Sequence, residues 1–251
     1  MPLQHILSRF IYYPDPKWIV TPSRLGLEAE EVLLAPEPGV QLHAWFFPRP
    51  DPLASLLFCH GNAGNVSHRL ENVFHLLQTG FQVLLFDYRG YGHSTGQPSE
   101  EGLYRDAVSA WTHLVDRADT ASASRIIFGR SLGGAVAIEL ATRVQADGLI
   151  VESTFTSIRT LARLVLPLPM PELPVKYDSL SKIGQIGAPL LAIHGTRDEL
   201  IPFADGQVLF DAAPEPKAWY PIPGAGHNDT YLTGSDAYFQ RLAAFASELT
   251  S

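Results

Sequence analysis

Ser131 stands between two glycines in the stretch "GRSLG" (129–133), Asp198 closes "GTRD" (195–198), and His227 lies within "GAGHND" (224–229). A serine hydroxyl is too weak an acid to attack a carbonyl carbon at neutral pH, so it needs a base beside it. A histidine takes that proton, and a carboxylate holds the imidazole in the right tautomer and stabilises the imidazolium that forms. In this chain order the three residue types suit nucleophilic acyl transfer, with Ser131 as nucleophile, Asp198 as orienting acid and His227 as base. Five residues around a serine recur by chance in many chains. The elements on either side decide the matter.

Those elements read as strands feeding helices. "EEVLLAP" (30–36) and "QLHAWFFPRP" (41–50) form a predicted antiparallel hairpin around Glu37-Pro38-Gly39. Short apolar runs follow at 55–61, 81–90, 125–129, 148–153, 189–195 and 217–224. Helical patterns alternate with them at 66–78, 100–117, 132–144, 204–213 and 236–249. Continuous apolar strands between helices indicate a mostly parallel sheet covered on both faces. In such a sheet ligands bind beyond the carboxyl ends of the strands. His60-Gly61-Asn62-Ala63, Arg130-Ser131, Thr196-Arg197-Asp198 and Gly226-His227 all fall there, at one edge. Ser131 sits where a strand turns sharply into a helix, and Gly129 and Gly133 leave room for that turn. The helix beginning at Leu132 aims free backbone N–H groups at the same place, which suits a developing oxyanion.

One interval interrupts the alternation. Residues 154–186 carry Pro167, Pro169, Pro171 and Pro174 between two helical scraps, too long for a simple connection. They leave and re-enter the sheet at its catalytic edge, so we read them as a small cap. Phe155, Leu166 and Met170 from this cap, with Ile201 from the loop after Asp198, are the expected acyl-pocket lining. The prolines stiffen the cap and favour short to medium acyl chains.

Composition narrows the alternatives. The 251 residues suit one α/β domain, here 1–251 with the cap as an insertion. Eighteen basic residues against 26 acidic ones give a net charge of −8, which argues against nucleic acid as a partner. The single Cys59 demands no oxidising compartment. No apolar run is long enough to span a bilayer, and the N-terminus lacks the marks of a secretory signal, so the expected location is cytoplasmic. Leu3, Ile6, Leu7 and Phe10 have helical spacing, read as a short helix packed on the body, with weak membrane contact as the lesser reading. "GYGHSTG" (90–96) and "GAGHND" fail the context of a dinucleotide fingerprint, and no histidine pair has metal-ligand spacing. No cofactor and no metal are expected. The oligomeric state is not legible.

The blocks "HGNAGN" (60–65), "DYRGYGHSTG" (87–96), "GRSLGG" (129–134), "HGTRDELIP" (194–202) and "GAGHND" together resemble the α/β-hydrolases. Within them the chain is similar to the Bem-type serine hydrolases, kin to α/β-hydrolase-domain depalmitoylases. The resemblance implies an α/β-hydrolase fold, a mostly parallel twisted sheet of about eight strands with helices on both faces and a short cap. It implies a nucleophile elbow at Ser131, with Asp198 and His227 completing a catalytic triad. It places the oxyanion hole at the N–H groups of Leu132 and Asn62, with Ala63 as the alternative second donor. Some α/β-hydrolases take their acid from the end of an earlier strand, which here would be Glu152. His60, Asp87, Arg89 and Arg130 read as structural residues that brace the loops. The implied function is a serine hydrolase of carboxylic esters or thioesters acting through an acyl-enzyme. An amide or peptide hydrolase using the same triad is the alternative, and a non-catalytic interaction protein the more distant one.

Overall fold

A computed structural model describes residues 11–165 and 176–249. Eight strands make one sheet: β1 (Glu30–Glu37), β2 (Val40–Phe47), β3 (Ala54–Cys59), β4 (Gln82–Phe86), β5 (Ser124–Arg130), β6 (Gly148–Glu152), β7 (Leu190–Gly195) and β8 (Lys217–Ile222). Their spatial order is β1-β2-β4-β3-β5-β6-β7-β8. Only β2 runs against the rest, pairing antiparallel with both β1 and β4. The remaining pairs are parallel, as the uninterrupted apolar runs predict.

Successive side chains of a strand face opposite sides of the sheet, and both sides here are covered. On β5, Ile127 packs with Leu103, Ala107, Val136 and Leu140 from helices α2 (Glu100–Asp116) and α3 (Leu132–Arg143). Its neighbours Ile126 and Phe128 pack on the other side, with Leu70 and Val73 of α1 (Leu70–Gln78). Tyr238 and Leu242 of the C-terminal helix join that second layer. Each such side chain is worth about 1.5–3 kcal/mol of hydrophobic stabilisation when fully buried. The two layers together fix the sheet rigidly enough to carry a site on its edge.

Three further helices lie between the later strands: α4 (Ile158–Val165), α5 (Ser179–Ile183) and α6 (Phe203–Ala212). The last, α7 (Thr230–Glu248), begins six residues before its apolar pattern predicts. A helical turn forms first, the chain breaks at Ser235 with φ of 49°, and the periodic stretch follows. The pattern over 66–78 also divides, into a 3-10 turn (Val66–Arg69) and α1. No described helix is long and apolar enough to cross a membrane. The helix expected over residues 3–10 and the cap prolines fall outside the described residues, as do Leu166 and Met170.

The strand order reverses at β3, because the chain passes from β3 out to β4 and returns across it to β5. The loops that follow β3 and β5 therefore lead to opposite faces of the sheet and open a crevice between them. Cys59 is level with Gly129 in that pairing, which sets His60 and Gly61 beside Arg130 and Ser131.

Candidate active site

Ser131 joins β5 to α3 with φ of 54° and ψ of −120°, a backbone conformation that a residue with a Cβ adopts only under strain. Its own N–H donates to Glu152 O at 2.9 Å, and its carbonyl accepts from Gly134 N and Thr154 Oγ1, so the turn is held from three directions. Glycine is required on both flanks. A Cβ on Gly129 would run into Gly133 and Ala137 of α3, and one on Gly133 into the carbonyl of Cys59. The helix thus packs directly on β3 and β5, and Ser131 has no room to relax.

His227 approaches from the loop after β8. Its Nε2 lies 3.1 Å from Ser131 Oγ, and its Nδ1 lies 2.8 Å from Asp198 Oδ2. The loops that carry the acid and the histidine are bonded to each other, Thr196 N to Ile222 O and Arg197 N to Ala225 O. Asp198 Oδ1 accepts from the N–H groups of Leu200 and Ile201 at 2.9 and 2.8 Å. Burial alone would raise the Asp198 pKa. Hydrogen bonds from His194, His227 and the Ile201 N–H outweigh that and hold the carboxyl well below the usual carboxylate range. An ionised Asp198 only accepts, so Nδ1 of His227 carries the proton and Nε2 offers its lone pair to Ser131.

Glu152, the alternative acid, is turned to another task. Its carboxylate receives Arg130 Nε at 2.9 Å and the hydroxyls of Thr230 and Tyr238, and is fully buried. Arg130 in turn donates to the backbone carbonyl of His227 at 2.7 Å. The residue beside the serine therefore links β6 to the histidine loop, the structural pairing expected of it. Glu199, which the sequence did not single out, accepts from His227 N at 3.2 Å.

Leu132 opens α3, and Asn62 follows β3 on the facing loop. Among the described residues neither backbone N–H has an acceptor, and both line the cleft with Ser131. Ala63, the alternative donor, pairs with Tyr13 in a parallel two-residue bridge that continues from Gly64 to Pro14, and Arg69 holds its carbonyl. The Asn62 side chain is clamped, donating to Ile11 O at 2.6 Å and accepting from Tyr91 OH at 2.7 Å. The stretch "DYRGYG" braces the same loop. Asp87 accepts from Val66 N, Tyr88 donates to His60 O, and Arg89 is spent on Asp106 and Glu37. His60 is fully buried with Nδ1 on Gly61 O, a loop-shaping residue. Burial raises the Cys59 thiol pKa and leaves it an inert core side chain.

The cleft over Ser131 holds about 660 Å³. Phe155 and Ile201, both expected in its lining, are there. Ile11, Ile158, Leu161 and Leu200 join them, and His68, Arg69 and Asp15 form a polar side. Ile11 is far in sequence from the motifs and Arg69 lies four residues beyond "HGNAGN", and nothing in their local pattern marks either.

Residues 50–183 match the family described as serine aminopeptidase, S33. The chain is 36% identical over 263 residues to the α/β-hydrolase domain-containing protein WAV2 of Arabidopsis thaliana, covering 93% of this chain and 85% of that one. It is 34% identical over 245 residues to the protein bem46 of Schizosaccharomyces pombe, covering 92% and 80%. Among solved structures it is similar to the esterase Pf2001 of Pyrococcus furiosus, with a TM-score of 0.77 at 22% identity over 94% of this chain and 98% of that one. That likeness is one of fold.

Proposed function

The chain belongs to the α/β-hydrolase family, beside the Bem46-type proteins, and from that premise we propose that it is a serine hydrolase of carboxylic esters or thioesters. The observation that carries this reading is the continuous chain from Asp198 through His227 to Ser131, set at the mouth of a cleft with two acceptor-free N–H groups beside it. Ser131 Oγ attacks the carbonyl carbon as its proton passes to His227 Nε2. Negative charge builds on the carbonyl oxygen, which Leu132 and Asn62 receive through their N–H groups. The carbon–oxygen or carbon–sulfur bond then breaks, and His227 returns the proton to the leaving group. Water repeats the sequence on the acyl-enzyme and frees Ser131.

Phe155, Ile158, Leu161 and Ile201 give the acyl side an apolar wall, and the modest cleft suits short to medium chains. The sequence reading of a cytoplasmic protein without cofactor, metal or nucleic-acid partner goes with this proposal. A second reading, hydrolysis of amides, is favoured by the aminopeptidase description of the matched family. A fluorophosphonate probe tests the common step. It should label the wild type and not Ser131→Ala, and equal labelling of both would sink the proposal. A panel of para-nitrophenyl esters, acyl thioesters and aminoacyl para-nitroanilides then ranks the bond types by kcat/KM.

A further inference from the structure

Arg69 closes the 3-10 turn after the oxyanion loop and lines the cleft with Ser131. Other arginines near the body are matched: Arg89 to Asp106, Arg130 to Glu152, Arg143 to Glu139. Arg69 has no carboxylate within ion-pair distance among the described residues. One guanidinium nitrogen donates to Ala63 O, while Nε is buried without a partner. Of the nearby acids, Glu71 is engaged by Tyr231 OH, Asp15 by Lys17 N, and Asp87, which attracts Arg69 from beyond ion-pair distance, by Val66 N. Burial, reinforced by repulsion from Arg130, pushes the Arg69 pKa down to about 10, so the cation persists at neutral pH at an energetic cost. A partly buried cation with a buried, unpartnered Nε and no ion pair among the described residues is a costly arrangement that an arriving anion would relieve.

Its position indicates which half of a substrate would bring that anion. The apolar wall comes from Phe155 ahead of α4, from α4 and from the loop after Asp198. Arg69 lies instead with the oxyanion loop, close to Arg130, which is bonded to the carbonyl of His227. His227 hands its proton to the leaving group, so the leaving half lies on that side. We propose that Arg69 binds a carboxylate or phosphate on the alcohol or thiol half of the substrate, making an anionic leaving group a specificity element of this site. The inference rests on the serine-hydrolase reading for the word substrate, but the anion site itself does not.

The test compares three butyrate esters: of meta-hydroxybenzoate, of meta-hydroxyphenyl phosphate, and of methyl meta-hydroxybenzoate as the neutral form. The wild type should prefer one or both anionic esters in kcat/KM, which also distinguishes carboxylate from phosphate. Arg69→Gln should lower kcat/KM for the preferred anion roughly 10- to 100-fold more than for the neutral ester, chiefly through KM, with partial rescue in Arg69→Lys. An equal loss on all three esters would mean that Arg69 merely holds the Ala63 carbonyl, and the inference fails. It fails equally if the wild type hydrolyses the esters with no anionic preference. Calorimetric titration of Ser131→Ala with meta-hydroxybenzoate and meta-hydroxyphenyl phosphate needs no turnover. Binding abolished by adding Arg69→Gln, without hydrolysis of any ester by the wild type, would keep the anion site and overturn the hydrolase reading. Ester hydrolysis with no binding of either anion would do the reverse.

Discussion

Replacing Asp198 by Asn tests the acid through an orientation that the structure itself dictates. Oδ1 takes two N–H donors, Leu200 and Ile201, while Oδ2 faces His227. An asparagine that keeps its carbonyl on the two N–H groups must aim its NH₂ at His227 Nδ1. The imidazole then accepts at Nδ1 and carries its proton on Nε2, facing Ser131 with a donor where a base is needed. Flipping the amide restores the tautomer but sets an NH₂ against two N–H donors. Leaving those donors unsatisfied costs about 1–3 kcal/mol each, or about 2–6 kcal/mol for the pair. At about 1.4 kcal/mol per tenfold, the productive form is depleted by roughly one and a half to four orders of magnitude. We therefore expect Asp198→Asn to fold like the wild type and to lose that much kcat on para-nitrophenyl butyrate. Glu152→Gln, which weakens the tie between Arg130 and the His227 loop, should cost far less kcat and more stability. The assay pairs steady-state kinetics with urea denaturation for both variants. A nearly silent Asp198→Asn beside a kcat-crippled Glu152→Gln would refute the reasoning.

Other consequences can be checked directly. Because Ser131 is held at a positive φ that costs about 1–3 kcal/mol, Ser131→Gly should be more stable than Ser131→Ala by about 1 kcal/mol after glycine's entropic loss, with neither variant turning over ester; equal urea midpoints would deny the strain. Leu161→Ala should move the optimum acyl length upward by about one to three carbons, each new methylene being worth about 0.8 kcal/mol; an unmoved chain-length profile would take Leu161 out of the acyl wall. Asp198 is held below its unfolded pKa, so its ionisation stabilises the fold above the ordinary carboxylate range, and that contribution is lost as pH falls through the range toward the folded value. Asp198→Asn binds no proton there, so between about pH 5 and pH 3 its stability should fall less steeply than that of the wild type. Parallel slopes in chemical denaturation across that range would contradict the shift.

Much of this site could be read from the chain because its requirements are local. A strand ending at Gly129-Arg130-Ser131 and a helix starting at Leu132 need small residues at fixed offsets, whatever the rest of the molecule does. The collisions that a Cβ at Gly129 or Gly133 would meet lie with α3 and with β3 next door. The alternation of apolar runs and helical patterns set the sheet, and the sheet placed every strand-end motif on one edge. The start of α7 escaped that reading, because its first turn ends at a backbone break that carries no apolar period.

Which groups touch was settled only by contacts between segments distant in sequence. Glu152 ends one parallel strand and Asp198 follows another, and the sequence reading, which favours Asp198, leaves Glu152 as the alternative acid. Glu152 stands level with Arg130 in the sheet, and Thr230 and Tyr238 of α7, 78 and 86 residues further on, take the rest of its carboxylate. Asp198 is left for His227 because the loops after β7 and β8 are bonded together. In the same way Asn62 is clamped by Ile11 and Tyr91, and Arg69 is left without an ion pair among the described residues, its Nε unpartnered. Sequence periodicity reports which face of an element is buried, because that depends on neighbours three or four residues away. The partner of a polar group depends on where other elements end in space, and a buried carboxylate or guanidinium takes whichever donor or acceptor the packed layers deliver to it.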